Sequence, residues 1–291
     1  MPLMGSLVAV RSRATNTRVS AWLTAVGITA LVIALYSEVL LDLASEWWTQ
    51  PDASYGMLIP PLALYIAYLK RRYILSVPAA PDVWGLSLIA TGCFVFLTGK
   101  LASEFFLTRT SFVIVLGGLC WTFLGYRRTR TIAFPLLLLI TMVPPPGIVY
   151  NTLAAPLQLF ASKLATDAAQ ILGVSIYRDG NIIYLATVSL GVAEACSGLH
   201  SLAALTVASL LLGFLENGSI AGRLLILFLS VPLGIAVNVL RVTGTAILAD
   251  YKPELALGYY HMFSGWLVFV IGFGLLWLMT KVIFRFRGAR A

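Results

Sequence analysis

A chain of 291 residues, 59% of them hydrophobic and 11% charged, with a mean hydropathy of +0.91, is not a soluble globular domain. Its length allows about eight apolar spans of roughly 20 residues joined by short loops, which leaves no room for a large soluble domain. The net charge of +8 does not point to nucleic acid, because the basic residues gather at the ends of apolar runs instead of forming one patch.

Arg11, Arg13 and Arg18 lie in a basic tail, residues 1–20, ahead of a first span at about Ala21 to Leu43. That run is long and has no clear small-residue cleavage site, so it is expected to stay as an anchor. The polar, aromatic segment Ser45 to Tyr55 follows, with Trp47 and Trp48 as an interfacial belt. Span two, about Gly56 to Leu69, carries Pro60 and Pro61, which predict a late start or a kink, and closes on Lys70, Arg71 and Arg72. Spans three and four are expected at Trp84 to Gly99 and Thr110 to Leu124, and a shorter fifth at Thr131 to Val143, stopped by Pro144, Pro145 and Pro146.

From Pro156 to Leu172, polar Gln158, Ser162, Thr166 and Gln170 recur every four residues opposite Leu157, Phe160, Leu164, Ala168 and Ile171. This spacing predicts an amphipathic helix lying in the membrane interface. Apolar β-formers then flank Asp179-Gly180, a short-range hairpin signal. Spans six, seven and eight follow at Ser197 to Leu215, Leu224 to Val242 or a little beyond, and Met262 to Phe284, before a basic tail, residues 285–291.

The expected fold is a single all-α, multi-pass membrane domain of about eight helices. Residues 144–195 form an extracytoplasmic amphipathic helix and hairpin between helices five and six. Counted on alternate sides of those spans, fourteen of the twenty Lys and Arg residues fall on the side of the N-terminus. Both termini are therefore expected to be cytoplasmic. No internal repeat is visible, and few charges lie within the spans, so a transporter is a poor fit.

Three cysteines without a CxxC pair or a His/Cys cluster give neither a disulfide framework nor a metal site, and no cofactor is implied. Cys93 and Cys120 sit inside apolar runs and read as small core residues. Cys196 differs, since it stands where a charged loop gives way to span six, on the outer side of the membrane. A thiol at a helix N-terminus faces the positive end of the macrodipole, which favours the thiolate.

Arg241 lies 17 residues beyond Leu224, about 25 Å along a helix, and so reaches the outer boundary. His261 opens the next inward-running span at the same level. A thiol, a histidine that can move a proton and an arginine that can stabilise an oxyanion suit acyl transfer. Asn238, three residues before Arg241, shares its helical face. His200, one turn after Cys196, is a rival base set one turn deeper, and Glu194 is either a solvated loop charge or a group that orients a histidine. A cysteine at a helix start is structural in most proteins; the coincidence of three such residue types at one depth brings the catalytic reading level with the structural one.

Ala195-Cys-Ser-Gly-Leu199, Asn238-Val-Leu-Arg241-Val and His261-Met-Phe-Ser-Gly265 together resemble the exosortase/archaeosortase family of membrane transpeptidases. Gly56-Met-Leu-Ile-Pro-Pro-Leu-Ala-Leu-Tyr after the Trp-rich segment is similar to the bacterial exosortases. The resemblance implies a cysteine peptidase/transpeptidase in the bacterial cytoplasmic membrane with its site on the extracytoplasmic face: Cys196 as nucleophile, Arg241 and His261 beside it. It implies substrates that are secreted proteins ending in a Pro-Glu-Pro type motif, one membrane helix and a basic end, with transfer to an acceptor nucleophile in organisms that make exopolysaccharide. Tyr55 and His200 depart from the residues common in bacterial members, histidine and arginine respectively. Plain hydrolysis and a non-catalytic part in polysaccharide export are the alternative readings.

Overall fold

The computed structural model describes residues 3–50, 53–186, 188–191, 199–216, 219–254 and 259–288; the side chains of 3–25, 200, 259–262 and 286–288 lie outside that description. The chain is mainly helical and divides into two compact units, Met1–Pro144 and Pro145–Ala291. Four helical segments, Val26–Thr49, Phe105–Leu124, Ile220–Tyr251 and Phe263–Arg285, are long and apolar enough to cross a membrane. Residues 133–142 and 147–171 make up to a fifth if taken as one broken span, and Ser54–Leu69, Gly85–Leu101 and Ser201–Leu215 are shorter apolar helices.

In the first unit α1 (Leu3–Thr49) runs past the expected end of span one and carries both Trp47 and Trp48. A single 3-10 turn, Ser54–Leu58, precedes α2 (Ile59–Leu69), which has its prolines in the first helical turn, where a missing N–H costs nothing. The diproline thus marks a late start and not a kink. A short α3 (Arg71–Ser76) leads to α4 (Gly85–Leu101) and α5 (Phe105–Leu124).

These two helices pack backbone against backbone. Gly85, Gly92 and Gly99 recur every seven residues on α4, and a Cβ on Gly92 would stand 2.5 Å from Val115 Cγ2. Such small-residue seams are how membrane helices gain dispersion contact when lipid supplies no hydrophobic drive. Tyr36 of α1 is buried against this pair, its ring edge-on to Phe96 and Phe112 and its hydroxyl 2.9 Å from Ser111 Oγ. The expected fifth span is broken into α6 (Tyr126–Thr131), α7 (Ala133–Leu138) and a 3-10 turn, Leu139–Met142.

The second unit opens with α8 (Gly147–Ile171), which contains Pro156 and starts well before the periodic stretch. Its stripe of Ser162 and Thr166 is buried with Ala154, Ala161, Ala165 and Ala169, while Phe160 and Ile171 on the apolar side are exposed. The middle of the polar stripe that the periodicity picked out is thus on the packing face, while Gln170 at its end is exposed. Ser162 donates to the carbonyl of Gly180, and Gln170 to that of Ile176.

The hairpin pairs β1 (Tyr177–Asp179) with β2 (Ile182–Tyr184) through Gly180 and Asn181, Gly180 at φ +60° where a side chain is disfavoured. A third strand, β3 (Ser189–Gly191), not expected from the sequence, pairs with β2. Among the described residues three long helices complete the unit: α9 (Leu199–Leu215), α10 (Ile220–Tyr251) and α11 (Tyr259–Gly288), each in contact with the other two.

Candidate functional site

The residues singled out in the sequence fall on the three-helix part of the second unit and on the segment leading into it. Cys196 and Glu194 lie outside the described residues. His200 stands in the first turn of α9, and His261 in the first turn of α11, both as backbone positions.

Arg241 and Asn238 are set on α10, three residues apart and hence on one face. Asn238 is 2% exposed and Arg241 half-buried. The same face carries Gly234, one turn before Asn238, and there α9 comes so close that a Cβ would lie 3.3 Å from Leu202 Cα. On α11 a Cβ at Gly265 would lie 3.4 Å from Arg241 Nη2 and 3.5 Å from its Cζ. The guanidinium therefore rests against bare helix backbone, one turn past His261 on the same side of α11. The glycine of His261-Met-Phe-Ser-Gly265 is the seat of the arginine, a role the sequence did not reveal.

α10 does not stop at Val242. Nine further residues, about 14 Å of helix, continue to Tyr251. Val242, Ala246 and Ala249 on that extension share a core with Ala165 and Ala169 of α8, Ile183 of β2 and Leu190 of β3. The extension is clothed by α8 and the sheet, which together cap it. Consequently the two described ends that flank Cys196 both adjoin α10: Leu190 in the core around Val242, and Leu202 against Gly234. Arg241 and Asn238 lie between these anchor points along the helix.

The chain is matched over residues 47–278 by the family model of the transmembrane exosortase (Exosortase_EpsH). The chain belongs to the transmembrane exosortase family. With several long apolar helices, this exosortase is a multi-pass membrane protein. No curated protein and no solved structure matches the chain.

The sequence reading of this exosortase missed a second polar site, in the first unit. Glu38, Asp42 and Glu46 recur every four residues along α1 and meet Lys100 at the end of α4 and Arg109 on α5. Arg109 is 8% exposed, pairs with Glu46 at 2.5 Å and lies over the Phe105 ring. Lys100 pairs with Glu38 at 2.9 Å in a far more exposed position. Asp42, Glu104, Lys100 and Arg109 line a cavity of about 230 Å³. The i, i+4, i+8 acidic spacing was the available signal, masked because the segment was read as a span end followed by a loop. Tyr55, the departure from the common histidine, stands in the 3-10 turn before α2.

Proposed function

We propose that the chain is a cysteine transpeptidase of the exosortase type, acting on the C-terminal sorting signals of secreted proteins at the extracytoplasmic face of a bacterial cytoplasmic membrane. The observation that carries this reading is the seating of the Arg241 guanidinium on Gly265, one turn from His261, on the stretch of α10 between the anchor points of Leu190 and Leu202 that flank Cys196. The reading draws its nucleophile from the segment that leads into α9, its proton carrier from α11 and its permanent cation from α10, and these three helices contact one another.

The chemistry follows from the residue types. Cys196 Sγ, as thiolate, attacks the scissile carbonyl carbon, and Arg241 stabilises the oxyanion that forms. The C–N bond then breaks, His261 gives a proton to the leaving amine, and a thioester remains on Cys196. An acceptor nucleophile attacks the thioester, losing its proton to His261 and freeing the Cys196 thiolate. Arginine stays protonated throughout, so Arg241 serves as donor and not as base; it is also suited to hold the acidic residue of a Pro-Glu-Pro type motif. Buried Asn238 on the same face supports the arginine, with His200 the rival to His261 and Glu194 an orienting carboxylate.

Eight crossings, counting the shorter apolar helices and residues 133–142 as the fifth, with both termini cytoplasmic, bring Cys196 and the start of α11 to the outer side. In that arrangement α8 and the sheet form an extracytoplasmic cap on α10.

The test is co-expression with a reporter ending in a Pro-Glu-Pro motif, a membrane helix and a basic end. Cys196→Ala abolishes its shortening, and mass spectrometry of the wild-type product finds an adduct at the new C-terminus. Undiminished shortening in the Cys196→Ala variant sinks the mechanism. A bare carboxylate in its place converts the enzyme to a hydrolase.

A further inference from the structure

Along the first unit, α1, α2, α5 and α7 enclose an apolar groove of about 530 Å³. One end is marked by Trp47 and Met142, where Trp47 Nε1 donates to the Met142 carbonyl at 3.0 Å. The other is marked by Ala67 and Ile132. An apolar cavity of about 150 Å³ takes a six-carbon ring. The groove is about 3.5 times larger, so on the same scale it has room for roughly twenty carbons.

The end at Ala67 and Ile132 opens directly onto basic chain. Lys70, Arg71 and Arg72 follow α2, and Arg127, Arg128 and Arg130 belong to α6, which immediately precedes Ile132. The two basic segments are tied together. Arg128 donates from Nε and Nη2 to the carbonyl of Val77, at 3.0 and 2.6 Å, fastening α6 to the chain that leaves α3. Arg71 is held over the Tyr68 ring, 3.8 Å from its centroid. Arg72, Arg127 and Arg130 are exposed. Asp82, the acidic residue on the loop after α3, is already engaged, accepting from Trp121 Nε1 and from the Trp84 backbone.

We propose that this groove holds an acyl chain of one anionic phospholipid, with its phosphate-bearing headgroup bound by the basic rim of Arg72, Arg127 and Arg130. A long apolar slot with cations at one mouth matches a molecule that is hydrocarbon along its length and anionic at one end. The other candidate occupant, a membrane helix of another polypeptide, is disfavoured by charge. Membrane helices carry Lys and Arg at their cytoplasmic ends, and the rim is the end that the charge asymmetry makes cytoplasmic, so like charges would meet there.

The test uses the full-length protein in mild detergent, titrated with phosphatidylglycerol or phosphatidylcholine and read by native mass spectrometry. Phosphatidylglycerol gives one saturable adduct per chain, and phosphatidylcholine binds at least 10-fold more weakly. The triple variant Arg72→Gln, Arg127→Gln, Arg130→Gln weakens phosphatidylglycerol binding roughly 100-fold, each cation near the headgroup contributing about fivefold. Ala67→Phe, which fills the groove, removes the saturable adduct. Leu64→Trp does the same from an exposed lining position that tolerates a larger side chain, so a folding defect in the first variant does not decide the outcome. Equal binding of phosphatidylcholine, or a saturable phosphatidylglycerol adduct that survives both groove variants, overturns the proposal. So does stoichiometric displacement of the lipid by a single-span peptide, which assigns the groove to a polypeptide.

Discussion

The two units of this exosortase each hold an arginine in a different setting. In the first, Arg109 is buried and neutralised by Glu46, and Lys100 is met by Glu38. In the second, the Arg241 guanidinium rests on the glycine backbone of α11, and a buried asparagine shares its face of α10. The first arrangement is structural, a charge cancelled inside the fold. The second seats a half-buried cation against bare helix backbone, and under the proposed function a negative charge develops beside it.

If that contrast is correct, removing charge should damage the two units differently. The largest effect is expected from Glu46→Ala, which strands a buried guanidinium and should cost about 3–5 kcal/mol. Thermal unfolding in detergent should show it, and replacing both partners (Glu46→Leu with Arg109→Met) should recover most of the loss. Next comes Arg241→Gln, expected to slow reporter processing about 10²–10³-fold with unfolding temperature little changed. A comparable loss of stability in place of activity would make Arg241 structural and erase the distinction. Gly92→Val, which forces a branched side chain onto Val115, should cost about 1–3 kcal/mol and leave the processing rate per folded molecule unaltered. The smallest effect belongs to Lys100→Gln: its exposed pair with Glu38 contributes at most about 1 kcal/mol, and less at high salt.

Features set by one strong local rule were readable in advance. Pro60 and Pro61 placed the start of α2, and the β-formers around Asp179-Gly180 announced the hairpin. The apolar runs located the long helices, and three separated motifs indicated the family before any packing was known. Features that depend on what an element packs against were not readable. The four-residue polar period of α8 was correct as a pattern, but which face turns inward depends on the neighbour. A small and polar stripe against α10 and the hairpin displaced the simple rule that polar residues face water.

The end of α10 was misjudged for a related reason. Thr243, Gly244 and Thr245 dilute the apolar signal, yet the helix continues because Val242, Ala246 and Ala249 find a partner in the cap. The seat at Gly265 gave no sequence signal, because the contact it makes is defined by the absence of a side chain.

α10 is one uninterrupted helix from Ile220 to Tyr251, and it fixes Arg241 by counting. Its lower part is indexed by Gly234 against α9 and its upper part by Ala246 and Ala249 against the cap, so the arginine is locked in register from both ends. One residue inserted between those points would turn everything beyond it by about 100° and lift it by about 1.5 Å. The direction in which the guanidinium points is therefore a whole-number property of the chain, insensitive to mild loosening of the surrounding helices and lost at once by a single-residue insertion or deletion.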